Sequence, residues 1–218
     1  MERHFEKSLE ELREALLRMA ERVDSVLQSA QECLVDGDAS LADGVFSGEK
    51  EIDQDQNFIE EMILDFIALH QPVAGDLRAV LAAQDVVVDL ERIGDHAVNI
   101  AESAVRLAGL RQPPDLLKLP EMAGLARTMV SDAVQSFRTR NVEVARRTIA
   151  TDDRMDALNR EMTRLVIEAI KEDRQLVETG LELIRVSKNL ERVGDLSANV
   201  AEDTLFLVEA RSARHQAM

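Results

Sequence analysis

The chain has 218 residues and a formal net charge of −16, and it is rich in Leu, Ala, Glu, Arg and Val but contains neither Trp nor Tyr. This acidic balance excludes general nucleic-acid binding, which needs clustered Lys and Arg, and the helix-forming composition favours an all-helical fold. No apolar run approaches the roughly 20 residues of a membrane span, and the charged amino terminus is unlike a signal peptide, so we expect a cytoplasmic protein.

The first half of the sequence predicts three helices. Apolar residues recur in alternating steps of three and four over 9–33, which indicates one face of a long helix that ends at Asp36-Gly37-Asp38. The same period over 41–69 predicts a second helix, which Pro72 closes, and a third helix is predicted over 75–107.

The second half repeats this pattern after a linker. Paired prolines within 109–115 break helix propagation, and three further helices are predicted over 121–139, 142–170 and 176–208. Short connections make consecutive helices antiparallel neighbours, so we predict two up-down-up three-helix bundles in tandem, with a continuous six-helix arrangement as the alternative. The predicted division is a first bundle (1–110), a linker (111–119), a second bundle (120–212) and a tail (213–218).

A thirteen-residue segment is duplicated. It reads LERIGDHAVNIAE at 90–102 and returns as LERVGDLSANVAE at 190–202, with eight of thirteen positions identical. The copies keep their Glu, Arg, Gly, Asp and Asn residues rather than an apolar pattern alone. A polar face retained in this way indicates a chemical role.

Each copy carries an acidic i, i+4 pair, and the preceding helix carries another. The pairs are Glu49 with Asp53 and Glu91 with Asp95 in the first half, and Asp152 with Asp156 and Glu191 with Asp195 in the second. The sequence midpoint between the first two pairs is Pro72, and that between the other two falls at the predicted Asp173-Arg174 turn. In antiparallel helices about 8 to 10 Å apart, pairs at the same height would let four carboxylates converge in each half.

Four converging carboxylates form a candidate metal site. An oxygen-only ligand set suits Mg²⁺, Mn²⁺, Ca²⁺ or ferric iron, while the scarcity of His and Cys disfavours structural zinc. A single acidic pair on a helix of such an acidic chain is usually a solvated face. The duplicated, opposed pairs are what favour metal binding here.

Three neighbouring positions have alternative interpretations. Gly94 and Gly194 recur at the same place in a helix, where Gly costs roughly 1 kcal/mol relative to Ala, and close helix packing would explain them. Arg92 and Arg192 are expected either to pair with the Asp at i+3 or to face a partner protein. Because His96 is replaced by Leu in the second copy, a structural role is favoured over metal ligation.

The segment DLERIGDHAVNIAE at 89–102 resembles the duplicated acidic signature of the PhoU family of bacterial phosphate-signalling proteins. The similarity extends to QPVAGDLR at 71–78, and the duplicated six-helix layout covers nearly the whole chain. The resemblance implies a cytoplasmic, non-enzymatic negative regulator of phosphate uptake and of the phosphate-starvation response. Its partners would be the ATPase subunit of a phosphate ABC transporter and a sensor histidine kinase.

The resemblance also implies metal on the acidic motifs. Iron is expected first, with Mg, Mn, Ca or Zn as alternatives, on Glu49, Asp53, Glu91, Asp95, Asp152, Asp156, Glu191 and Asp195. We further expect a homodimer that is peripheral to the membrane only through its partners.

Two other functions remain open at the level of sequence. Helical bundles with carboxylate-bridged metals include enzymes, but the repeats contain no Glu-x-x-His pair of the di-iron type and no apparent nucleophile with a base. The other alternative is a metal-free helical adaptor, whose acidic stripes serve solubility or attract basic partners.

Overall fold

The computed structural model describes residues 2–111 and 117–210, which form six long α-helices and two short 3-10 helices. The long helices are α1 (Glu2–Val35), α2 (Ala42–His70), α3 (Gly75–Ala108), α4 (Leu119–Thr139), α5 (Val142–Glu172) and α6 (Val177–Glu209). No strand occurs within the described ranges, and the predicted all-helical class is confirmed. The paired prolines of the predicted linker and the predicted tail lie outside the described residues.

Local side-chain chemistry sets several helix ends. The Asp38 carboxylate accepts a hydrogen bond from the backbone N–H of Ser40 and begins the 3-10 turn that leads into α2. The Asn141 side chain accepts from two backbone N–H groups in the first turn of α5, as an N-cap residue does. Helix α4 begins at Leu119, which is the last residue of the predicted linker. Pro120 lies in the first turn of this helix, where a backbone N–H has no partner within the helix, so the missing N–H of proline costs no hydrogen bond.

Helices α3 and α6 form the centre of the molecule. They pack along each other, while α1 packs on α2 and α3, and α4 packs on α5 and α6. The hydrogen bond between His96 and Asn189 and the ion pair between Arg106 and Glu182 show that α3 and α6 run antiparallel. Each half is therefore an up-down-up three-helix bundle, and the two bundles are joined along α3 and α6.

One hydrophobic core runs through both halves. Its fully buried side chains include Met19 of α1, Ile93 of α3, Met129 of α4 and Met155 of α5. Cys33 is also buried in this core, as a small apolar residue would be. The two bundles also contact each other through α1 and α4. The predicted tandem of two three-helix bundles is thus confirmed, with the bundles packed against each other along α3 and α6.

Candidate functional site

The acidic residues of the first half lie on facing helices, Glu49 and Asp53 on α2 and Glu91 and Asp95 on α3. Asp95 is exposed and the other three are half-buried. Burial is the main cause of a raised pKa at Glu49, followed by the charges of Asp53 and Asp95. The pKa of Glu91 is also raised, by burial and then by Asp95, Asp53 and Glu49. The two helices thus place their carboxylates within electrostatic reach of one another, and we call these four residues the first cluster.

Gly94 allows α2 and α3 to approach closely beside the first cluster. A Cβ atom at this position would lie 3.1 Å from Cδ1 of Ile52, which lies on α2 between the two acids of that helix. Ile52 is fully buried. The interior glycine therefore serves close packing, at the helix-propensity cost that a Gly carries.

Among the described residues, the acidic side chains of the second half lie closer together than those of the first cluster. Asp156 on α5 and Glu191 and Asp195 on α6 each offer one oxygen, and these oxygens lie within 4.8 Å of one another. Asp152 on α5 completes the set, and its pKa is raised to about 6 by burial and then by the charges of Asp195, Asp156 and Glu191. We call these four residues the second cluster. No comparable group of three within 4.8 Å occurs elsewhere in 2–111 or 117–210.

Gly194 has the same packing role as Gly94. A Cβ atom there would lie 3.1 Å from Cγ of Met155, a tight contact, and 3.4 Å from Oδ1 of Asp152, in van der Waals contact with the cluster. The repeated glycine brings α5 against α6 at the height of the acids.

Three basic side chains pair with the second cluster. Lys188 contacts Oε1 of Glu191, Arg192 lies 2.9 Å from Oδ2 of Asp195, and Arg160 lies 3.3 Å from Oδ2 of Asp156. The pKa of Asp195 is nevertheless raised, because burial and the charge of Glu191 outweigh the pairing with Arg192. The sequence interpretation did not include Lys188 and Arg160, although their spacing of three and four residues from an acid was a visible signal.

Two oxygens of the second cluster are buried and accept no hydrogen bond, Oδ1 of Asp152 and Oε2 of Glu191. Glu191 is only 7% exposed. A buried acceptor without a donor is costly, and a cation that accepts oxygen ligands would remove that cost. The donor set and these two oxygens therefore fit a hard metal ion.

The remaining polar residues of the repeat point elsewhere. Asn99 donates to the backbone carbonyl of Asp95, and Glu102 pairs with Arg106 at 3.4 Å. Arg92 lies 3.9 Å from Asp89, three residues before it, whereas Arg192 pairs with Asp195, three residues after it. The expected pairing with the Asp at i+3 is therefore found for Arg192, while Arg92 pairs with Asp89 instead.

His96 belongs to the interface between the two halves. Its Nδ1 lies 2.9 Å from Oδ1 of Asn189, whose amide nitrogen donates to the backbone carbonyl of Arg185. Leu196, the corresponding residue of the second copy, is buried. These contacts favour the structural role for the histidine.

None of the helices formed by the described residues combines the length and the apolar character that crossing a membrane requires.

Comparison with known proteins gives one consistent family. The family model for the PhoU domain matches residues 16–104 and again 119–204. The chain is 33% identical to a phosphate-specific transport system accessory protein PhoU homolog of Clostridium acetobutylicum, covering 95% of both proteins. It is 35% identical to the homolog of the same name from Aquifex aeolicus, over 96% of this chain and 95% of that protein.

Solved structures agree with the sequence relatives. The crystal structure of PhoU from Pseudomonas aeruginosa superposes with a TM-score of 0.92 at 29% identity, over 95% of this chain and 100% of that one. The phosphate transport system regulatory protein PhoU from Streptococcus pneumoniae superposes with a TM-score of 0.88 at 25% identity, over 96% and 99%.

Proposed function

This chain belongs to the PhoU family, and on that premise we propose that it is a cytoplasmic negative regulator of phosphate uptake and of the phosphate-starvation response. The observation that carries the proposal is the match of both halves to the PhoU domain, supported by relatives named as phosphate-transport accessory and regulatory proteins. We propose that it couples the ATPase subunit of a phosphate ABC transporter to a sensor histidine kinase. Its relatives are named as regulators and not as enzymes, so its output is binding rather than turnover.

Metal on the two acidic clusters is the second part of the proposal. Glu49, Asp53, Glu91 and Asp95 would hold a cation between α2 and α3, and the second cluster would hold one between α5 and α6. Iron is the first candidate and Mg, Mn, Ca or Zn are the alternatives, since carboxylate oxygens accept all of these ions. A bound ion would offset the repulsion among the carboxylates and fasten each hairpin, which is a structural or regulatory role.

Exposed apolar side chains at the hairpin ends supply surfaces for the partners. At the turn between α2 and α3, Leu69 and Val73 are 74% and 72% exposed, and Leu64 of α2 is 68% exposed. At the turn between α5 and α6, Leu181 is 61% exposed. Large exposed apolar residues grouped in this way mark interaction sites more often than scattered ones do.

Metal content tests the cluster assignment. Protein purified after metal reconstitution is expected to contain iron or another of the named ions by elemental analysis, and the variant E91A/D95A/E191A/D195A to contain none. An unchanged stoichiometry in that variant would contradict the assignment. If the chain is instead a metal-free adaptor, neither a chelator nor an added ion should shift its melting temperature. An ion that binds only the folded state must raise the melting temperature.

Partner capture tests the regulatory role. The tagged chain is expected to recover the transporter ATPase and the histidine kinase from phosphate-replete cells of its own organism, and the variant L69E/V73E to recover less of at least one. The matched control is Val208→Glu, which places the same charge on an exposed valine near the end of α6. Recovery of neither partner by the wild-type chain would count against the proposal. Light scattering on the same samples tests the expected homodimer.

A further inference from the structure

Each hairpin exposes three large apolar side chains at equivalent positions of the repeat. The alignment that matches Asp53 with Asp156 and Asp95 with Asp195 defines these positions. The three exposed residues of the first half are Leu64, Leu77 and Leu81, and their counterparts in the second half are Ile167, Val177 and Leu181. Single exposed apolar residues need no explanation, but the same three in both copies indicate a retained surface.

The three side chains of each half lie on the side of the hairpin that bears the acidic cluster. Leu64 follows Asp53 of α2 by eleven residues, which is about three helical turns, and Leu77 precedes Asp95 of α3 by eighteen residues, about five turns. Leu81 shares the face of Leu77, because it is four residues further along α3. The same counts hold for α5 and α6. We call the three residues of the first half the first patch and those of the second half the second patch.

The two patches lie towards opposite ends of the molecule, because α3 and α6 run antiparallel. The contact of His96 with Asn189 places Leu81 level with Thr204, so Leu81 and Leu181 are about 35 Å apart along the helix axis. A standard protein interface covers about 800 Å² on each partner, which is a disc roughly 30 Å across. A partner centred on one patch therefore leaves the other patch open.

The charges beside the two patches are reversed. Residues three or four positions from a patch residue on the same helix are its neighbours. Beside the first patch these neighbours include Glu61 and Asp85, and the equivalent positions beside the second patch hold Arg164 and Arg185. All four residues are exposed. Carboxylates therefore border one apolar patch and guanidinium groups border the other.

The two arginines remain available to a partner although each has an acidic neighbour. Arg164 lies 2.7 Å from Glu168 and Arg185 lies 3.8 Å from Glu182. Both arginine side chains are more than half exposed, and surface pairs of this kind contribute little to stability. A carboxylate of a partner can thus replace the intramolecular one at small cost. No ion pair with a basic side chain is found for Glu61 in the part of the chain that the structure describes.

On the premise of the coupling role proposed above, we propose that the two patches bind two different partners, one towards each end of the molecule. The first patch takes an apolar surface bordered by Lys or Arg, and the second patch takes an apolar surface bordered by Asp or Glu. Charges beside an interface attract the opposite sign and repel the same sign, so each partner is excluded from the other's patch. Because the patches are separate, one chain holds both partners at once, as coupling them requires.

Variants of each patch test the assignment against two defined probes, the purified transporter ATPase and the purified sensor histidine kinase of the same organism. Biolayer interferometry gives the Kd of each probe separately. We expect L64S/L81S to weaken binding of one probe about tenfold and I167S/L181S to weaken binding of the other by a similar factor. The matched control is Phe58→Ser, which removes an exposed apolar side chain from a different side of α2. Weakening of the same probe by both double variants would overturn the proposal.

Exchanging charges between the copies tests the basis of the selection. E61R/D85R gives the first patch the charges of the second, and R164E/R185D makes the reverse change. Each is expected to weaken the partner of its own patch about tenfold at low salt, mainly through slower association, and less at high salt. The charge-preserving control R164K/R185K is expected to change little, and circular dichroism checks that every variant is folded. Unchanged affinities in both exchanges would contradict selection by charge.

The outcomes separate this proposal from the coupling role. Light scattering on the mixture is expected to show one complex that contains the chain and both probes, and competition between the probes would overturn the two-patch arrangement. If the wild-type chain binds both probes but neither patch variant loses either, the patches are wrong and the coupling role stands. If a patch variant only turns a dimer into a monomer, a second copy covers that patch and the proposal is wrong. If the wild-type chain binds neither probe, the coupling role fails and this proposal fails with it.

Discussion

At the scale of single residues, glycines decide how closely the helices pack. A Cβ atom at Gly48 of α2 would lie 2.5 Å from Cγ2 of Val26, a buried residue of α1. Gly94 likewise allows α3 to pack closely on α2, and Gly194 allows α6 to pack closely on α5. Gly124 of α4, by contrast, has no atom within 4 Å of where its Cβ would be.

Substitution of these glycines by alanine should therefore have opposite effects. Gly48→Ala forces Val26 to move and is expected to lower the free energy of unfolding by about 1–3 kcal/mol. Gly124→Ala adds helix propensity without a clash and is expected to raise it by up to about 1 kcal/mol. Urea unfolding followed by far-ultraviolet circular dichroism measures both, and a stabilised Gly48→Ala variant would contradict the close contact.

The histidine of the first repeat gives a second prediction at this scale. His96→Leu installs the residue of the second copy and removes the hydrogen bond to Asn189, so the free energy of unfolding is expected to fall by about 0.5–1.5 kcal/mol. Metal content by elemental analysis is expected to stay at the wild-type value. Loss of bound metal in this variant would make His96 a ligand and reject the structural role.

At the scale of the elements, each hairpin places carboxylates of one helix against those of the next. Asp152 of α5 shows the consequence, because its pKa is raised from its ordinary 3.8 to about 6 by burial beside the acids of α6. The folded, metal-free protein therefore binds a proton at Asp152 more tightly than the unfolded chain does. Its contribution to stability is complete below pH about 4 and is lost as the pH rises to about 6.

Asp152→Asn should remove this pH dependence. In metal-free protein the variant is expected to raise the free energy of unfolding at pH 7 but to change it little at pH 4, because the wild-type group is already neutral there. Urea unfolding at both pH values measures the difference. Glu61→Gln, an exposed change on α2, is the control and is expected to alter neither. Stabilisation by Asp152→Asn that is greater at pH 4 than at pH 7 would contradict the assignment.

At the scale of the whole molecule, the two halves share one core. Helices α3 and α6 bury their apolar faces on each other, and α1 and α4 are joined by the ion pair of Asp24 with Arg127 at 3.1 Å. Separating the halves would expose the apolar surface along α3 and α6 to water, which is costly.

The two halves should consequently unfold together. Hydrogen exchange is expected to give the slowest amides of α3 and α6 the same opening free energy within about 1 kcal/mol. Mass spectrometry of deuterated peptides from both helices measures this. A second half that opens at a clearly lower free energy would mean that the two repeats are independent domains.

Much of the fold could be predicted from the sequence because helix formation depends on local periodicity. The apolar stripe of α1 and the stops near Gly37, Pro72 and Asn141 predicted long helices in chain order. The predicted start of α4 at Glu121 lies two residues after the observed start at Leu119, because the prediction placed Leu119 in the linker and did not assign Pro120 to the first turn of the helix. The turn midpoints likewise predicted which carboxylates face each other, since hairpin height follows from residue count alone.

The sequence by itself therefore determined the helices, the duplication and the family, all of which follow from the order and period of residues along the chain. Only the tertiary structure decided how the two bundles join, that His96 lies against Asn189, and that Lys188 and Arg160 form ion pairs with one cluster while no such pair is found for the other among the described residues. These contacts depend on the rotation of each helix about its axis and on side-chain rotamers, which packing between distant segments determines. The repeated acidic pairs are thus alike in sequence and unlike in their electrostatic surroundings.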